Sequence, residues 1–233
     1  MTELEQRLNA VRARLVAAAQ RAHRNPEGVT IVAVTKAVPP EGVEDALATG
    51  LTVFGENKVQ EAKAKIPLVS SRACWHMIGH LQTNKARDAV ALFELIHSVD
   101  SAKLAGELDK WAGRDGKTQP ILLEVNVSGE ASKSGLKPED LAATLEQIKA
   151  LHRIEIRGLM TMVPFAKDTE KARPHFRRLR ELRDEMENRF GVRLPELSMG
   201  MSHDFEIAVE EGATMVRIGK AIFGERRTHD VEQ

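Results

Sequence analysis

Val29-Thr30-Ile31-Val32-Ala33-Val34-Thr35 is an unbroken apolar, β-branched run. A stretch of that kind reads as a strand covered on both faces, as in a parallel sheet. It closes on Lys36, and Pro39-Pro40 then ends it and opens a helix. Lysine is costly to desolvate, so at a strand end facing a dry pocket its neutral, nucleophilic amine is favoured. Capture of a carbonyl as a Schiff base is the chemistry that suits such a group. The plainer reading, which the segment alone favours, is a lysine that snorkels into solvent.

Outward from this run, strand-like and helical segments alternate. Strands are expected at 29–35, 51–54, 74–78, 94–99, 120–127, 154–160, 195–199 and 214–218. Helices are expected near 40–48, 57–65, 83–92, 101–112, 138–151, 168–190 and 203–211. Ahead of them, Leu4, Leu8, Val11 and Leu15 mark an amphipathic helix over about 2–24. Eight β/α units predict a TIM (β/α)8 barrel over about 28–226, an α/β fold in a single domain spanning 1–233. An open doubly wound sheet is the alternative. The core face of the 168–190 helix is Phe176, Leu179, Leu182, Met186 and Phe190, and its arginines are expected to be solvated and paired with Glu181, Asp184 and Glu185.

Composition narrows the function. The 34 Lys and Arg balance 34 Asp and Glu, which argues against nucleic acid as a partner. No apolar run reaches the length of a membrane span, and the charged start of the chain does not read as a signal peptide. The single cysteine, Cys74, fits a reducing cytoplasmic setting. No Cys/His cluster has zinc spacing, and His76 and His80 lie in a strand-to-loop setting unsuited to a metal pair, so no metal is expected. Gly116-Lys117-Thr118 ends like a phosphate loop, but Trp111 occupies the position of the first glycine and a strand follows rather than precedes.

In a β/α barrel the working groups lie where strands end. Those ends supply Lys36, then Gly55-Glu56-Asn57, His76 with Gly79-His80, His97 and Asp100. Asn126 with the loop 128–135, Met160-Thr161-Met162, Ser198 to Ser202, and Arg217-Ile218-Gly219-Lys220 complete the circuit. The loops after strands seven and eight commonly hold phosphate. Gly200 and Gly219 permit close backbone approach, Ser198 and Ser202 offer hydroxyls, and Lys220 adds charge. Ser202 also reads simply as the cap of the helix that follows. Arg217, inside the last strand, either anchors a buried ion pair or points at a ligand, and it stays a donor in both cases.

Taken together, Thr35-Lys36, Gly55-Glu56-Asn57-Lys58-Val59-Gln60-Glu61, Trp75 to Gln82, Leu197 to Ser202 and Met215 to Gly224 resemble the pyridoxal phosphate homeostasis proteins in order and spacing. The resemblance implies a barrel similar to the N-terminal domain of alanine racemase. It implies pyridoxal 5′-phosphate bound as an internal aldimine to Lys36. It further implies phosphate contacts from Ser198, Ser202, Gly219 and the backbone of Lys220, Arg217 directed at the pyridine nitrogen, and Asn57 near the ring. Lys220 stands where threonine is common and Lys58 where tyrosine is common. The family is regarded as a carrier or regulator of the cofactor, so apo pyridoxal enzymes are the implied recipients.

An arginine beside the ring nitrogen would keep that nitrogen unprotonated and the ring a weaker electron sink. Racemisation needs an acid/base group on each face of the substrate carbon. Alanine racemases use a lysine and a tyrosine, and this chain has no tyrosine. The expectation is therefore a cofactor holder without catalysis of its own. The runner-up is a low-activity racemase or related pyridoxal enzyme using His80 or His203. A third reading is a Schiff-base aldolase that uses Lys36 without a cofactor.

Overall fold

The computed structural model describes residues 1–130 and 133–225. Strands β1 (Thr30–Val34), β2 (Val53–Glu56), β3 (Cys74–Met77), β4 (Leu95–Val99), β5 (Gln119–Glu124), β6 (Ile154–Met160), β7 (Glu196–Met201) and β8 (Met215–Ile218) close into a parallel barrel in chain order. β1 and β8 seal it, with Thr30 beside Met215 and Ala33 beside Ile218. The open-sheet alternative is thereby excluded.

Strand alternation splits the apolar residues into two layers. Val32, Ile78, Leu95, Leu122, Met160 and Met215 pack together inside the barrel, with Val34 and Val53 against them. Their neighbours in sequence, among them Ala33, Phe54, Met77, Ile96, Leu159 and Val216, turn outward into the larger layer beneath the helices. The interior is thus a packed core and not a pore.

The outer ring is α2 (Pro40–Ala48), α3 (Val59–Lys65), α4 (Ala86–Leu92), α5 (Ala102–Arg114), α6 (Leu141–Lys149), α7 (Arg173–Phe190) and α8 (Phe205–Glu210). Before them, α1 (Glu3–Arg21) begins with a capping box between Thr2 and Glu5 and buries Leu8, Val11, Leu15, Ala18 and Ala19. Arg14 and Arg21 tie it to Glu206 and Glu210 of α8 at 2.8 and 2.7 Å. After β8 comes α9 (Lys220–Phe223), a single turn that hydrophobic periodicity does not reveal.

Among the shifts from the sequence expectation, the fifth strand runs over Gln119–Glu124 and not 120–127, and two others bear on the packing. The second strand runs over Val53–Glu56 and not 51–54. Leu51 is buried before the strand begins, and Gly55 lies on the inner wall, where a Cβ would sit 2.8 Å from Ile78 and 3.0 Å from Val32. The arginines of α7 are also less free than solvation implies. Arg173, Arg177 and Arg180 converge on buried Glu211, while Arg178 and Arg183 take Glu181 and Asp184 as expected.

Candidate functional site at the strand ends

Lys36 lies two residues past the end of β1 and is exposed. Val32 and Val34 face the barrel interior, so Lys36 falls at the next inward position of the same alternation. The dry surroundings that would favour a neutral amine are therefore not a property of the strand itself. Asn57 follows β2 directly and is half-buried. Its carbonyl lies so close to Gly79 that a Cβ there would be 2.3 Å from it. Asn57 Oδ1 is buried with no hydrogen-bond partner among the described residues.

The other strand ends build inward from Arg217. On β8 it follows Met215 at inward spacing and is buried. Nη1 donates to Ser198 Oγ at 2.6 Å and Nη2 to the Thr161 carbonyl at 2.8 Å. Both bonds end on neutral oxygens, while Glu124 and Asp204 act on the guanidinium at longer range. Burial pulls Arg217 down to about 10, and those two carboxyls oppose the fall. An arginine with five donors and two of them engaged has capacity for a further acceptor.

Ser198, expected to contact phosphate, has its hydroxyl inside the barrel. Its hydroxyl is buried between Arg217 and His97, whose Nδ1 lies 2.8 Å away. His97 Nε2 meets His76 Nδ1 at 3.0 Å, and His76 Nε2 faces Cys74 Sγ at 3.6 Å. Because Arg217 only donates, every proton finds an acceptor when Ser198 donates to His97, His97 to His76, and His76 towards the sulfur. The opposite polarity strands the Ser198 proton. Burial keeps both imidazoles neutral, His76 down at about 4 and His97 well below its ordinary range. Burial likewise lifts the Cys74 thiol to about 11, consistent with an inert thiol.

The phosphate-type donors gather at the last turn. Ser202 is half-buried, and its Oγ accepts from the Ala221 N–H at 3.3 Å. Gly219 is buried and begins α9, where the first amides have no partner within the helix. The Lys220 side chain is directed elsewhere: its ammonium is exposed and pairs with Glu225 at 2.6 Å. Its backbone alone belongs to the turn. His80, a candidate second base, is exposed and 3.6 Å from Asp100. His203, the other, bonds the Ala166 carbonyl at 2.8 Å and stacks on Phe165.

Sequence reasoning missed Glu124. It follows Leu122 at inward spacing on β5, is buried, and has one oxygen without a partner among the described residues. Burial first and Asp100 second push it up to about 7, against the pull of Arg217. The signal was an acid at an inward position of an otherwise apolar strand.

This geometry fits pyridoxal 5′-phosphate. A buried arginine has donors to spare, Asn57 has an orphaned acceptor, and Ser202 with the Gly219–Lys220 backbone forms an anion-type turn. Residues 6–227 match the family model described as alanine racemase, N-terminal domain. The pyridoxal phosphate homeostasis protein of Aquifex aeolicus is 45% identical over 223 residues, covering 95% of this chain and 98% of its own. The protein of the same name from Pseudomonas aeruginosa is 43% identical, with 97% of each chain covered. The structure of PipY from Synechococcus elongatus with PLP bound superposes with a TM-score of 0.85 at 38% identity, covering 95% of this chain and all of that one. An alanine racemase from Clostridium difficile shares the fold, with a TM-score of 0.72 at 16% identity, over 97% of this chain and 58% of its own.

Proposed function

Because the chain belongs to the pyridoxal phosphate homeostasis protein family, we propose that it holds pyridoxal 5′-phosphate reversibly on Lys36 and supplies it to apo pyridoxal enzymes in the cytoplasm. The observation that carries this reading is the buried guanidinium of Arg217, bonded among the described residues only to neutral oxygens, at the same barrel end as Lys36. Bound there, the cofactor would contribute an aldehyde for Lys36 and an electron-withdrawing ring. The chain's own groups do the rest. Arg217 would donate to the ring nitrogen, Ser202 and the Gly219 and Lys220 amides would hold the phosphate, and Asn57 would lie beside the ring.

A role as holder rather than catalyst follows from the same groups. Arg217 keeps its proton, so it stabilises an unprotonated ring nitrogen, and that weakens the ring as an electron sink. With no tyrosine in the chain, a second base would have to be His80 or His203. His203 is already engaged with Ala166 and Phe165.

Borohydride reduction of the loaded protein followed by peptide mapping tests ligand, linkage and lysine together. The label should fall on Lys36 and vanish in Lys36→Ala. A reducible linkage surviving at another lysine, Lys220 included, would overturn the assignment. Steady multiple turnover on any member of a panel of L- and D-amino acids would establish the enzyme reading instead.

A further inference from the structure

Lys36 stands between two residues that are both tied to one ionic cluster outside the barrel wall. Thr35 Oγ1 donates to Glu56 Oε1 at 2.7 Å. The Thr35 carbonyl accepts from Lys65 Nζ at 2.7 Å. On the other side, the Ala37 N–H donates to Glu61 Oε1 at 2.6 Å. Lys65 closes the cluster with bonds to Glu56 at 2.6 Å and Glu61 at 3.1 Å, so its three N–H groups are all engaged. Lys65 is buried in the gap between β2 and α3, and Glu56 is fully so.

We infer that Glu56, Glu61 and Lys65 are positioning residues for Lys36, fixing the turn from which its amine reaches a carbonyl ligand. Two features separate this from a simple structural ion pair. The first is conformational: Ala37 adopts φ +56°, a left-handed backbone that costs an alanine and needs something to hold it. The Glu61 carboxylate on its N–H is that restraint. The second is energetic. Burying charges is a poor route to stability, since an apolar contact of similar volume serves as well. Here the cluster's side chains bond the backbone, among the described residues, at the two neighbours of Lys36, which is the placement a geometric role requires.

The cluster also sets Lys65, whose ammonium reaches the carbonyl of Thr35, apart from Lys36. Lys65, with all three protons donated to oxygens, has no lone pair for attack. Lys36 makes no such contacts among the described residues, and its side chain is exposed. As a free amine its nitrogen would add to an aldehyde carbon, the carbonyl oxygen would leave as water, and a C=N bond would replace C=O.

The inference rests on Lys36 being the capturing residue, and the test separates the two claims. Full-length wild type, Glu61→Ala and Glu61→Gln are mixed with pyridoxal 5′-phosphate, and linkage at Lys36 is followed by absorbance and by borohydride mapping. Pyridoxine 5′-phosphate, which carries an alcohol in place of the aldehyde, reads the remainder of the site without the lysine chemistry. Glu61 is half-exposed on α3, and its removal leaves the Glu56–Lys65 pair intact, so both variants should fold. Glu61→Ala should slow linkage at Lys36 by about tenfold or more, the scale of a small misplacement of a reacting group. Its affinity for pyridoxine 5′-phosphate should stay within about twofold of wild type, because that probe does not use the lysine. Glu61→Gln, which still accepts from Ala37, should recover most of the rate. Linkage at the wild-type rate in Glu61→Ala, or equal loss of both probes, would overturn the positioning role. Wild type that binds both probes without linkage at Lys36 would overturn the underlying reading.

Discussion

Arg217 and Ser198 link the last two strands through their side chains, with Nη1 2.6 Å from Oγ inside the barrel. The same hydroxyl reaches His97 at 2.8 Å, so one serine orients an arginine from β8 and an imidazole from β4. In the proposed role Arg217 has to be held before a ligand arrives, and this serine is part of what holds it.

Ser198→Ala should cost about 1–3 kcal/mol, because it leaves a buried guanidinium donor and a buried imidazole nitrogen without their common partner. It should also weaken cofactor retention while leaving the proposed phosphate donors, Ser202 and the Gly219 backbone, in place. Urea unfolding and the rate of cofactor release measure the two effects. Unchanged release with wild-type stability would show that Arg217 does not depend on the serine.

Glycine 200 tests the floor of the candidate phosphate turn. Its φ is +89°, and a Cβ there would lie 2.5 Å from Ala208 Cβ and 2.9 Å from Phe205 Cα. Both neighbours belong to α8, so relief would require moving the helix rather than a flexible side chain. Gly200→Ala should therefore destabilise by about 1–3 kcal/mol from backbone strain and crowding combined. A melting curve matching wild type would mean that α8 shifts freely.

Much of the fold was legible because alternation of strand and helix is written in hydrophobic period, which survives without tertiary knowledge. Lys36, Arg217 and Ser202 were legible as strand-end chemistry. The direction of a hydroxyl was not. Ser198 could face a ligand or an arginine, and the choice depends on the β7–β8 register, which shifts between Ser198 and Met201. Glu56 reads as loop chemistry beside a glycine, yet it completes β2 because its charge is met by Lys65, nine residues along and one helix away. Glu124 hid in a strand whose neighbours are apolar. The single turn of α9 is too short to show any periodicity.

Removing Lys65 should be costly in a way that removing both partners is not. Lys65→Met leaves fully buried Glu56 with Thr35 alone, and Glu56 is already raised by burial and lowered mainly by the Lys65 hydrogen bond. The loss should be about 3–5 kcal/mol, as for other buried pairs broken on one side. Lys65→Met combined with Glu56→Gln should recover a large part of it, since no unpaired charge is left. Urea midpoints of the two variants decide this. Equal destabilisation of both would mean that charge is not the source of the loss.

Glu124 should make stability depend on pH. Its ordinary value is 4.5, and in the folded protein burial and Asp100 raise it to about 7, with Arg217 pulling the other way. Between these values the folded state keeps a proton that the unfolded chain has released. The stability attached to the neutral acid is therefore complete below about pH 4.5 and is lost as pH rises through about 7. Glu124→Gln has the same shape without the titration. Its stability relative to wild type should be flat below pH 4.5, rise across the window, and level off near pH 8. The total should be on the order of 3 kcal/mol, a scale set by 1.36 kcal/mol per pKa unit. Urea unfolding of both proteins at pH 5, 6, 7 and 8 measures it. A difference that stays constant over that range would mean that Glu124 is already ionised in the fold, and that Arg217 neutralises it more strongly than burial opposes it.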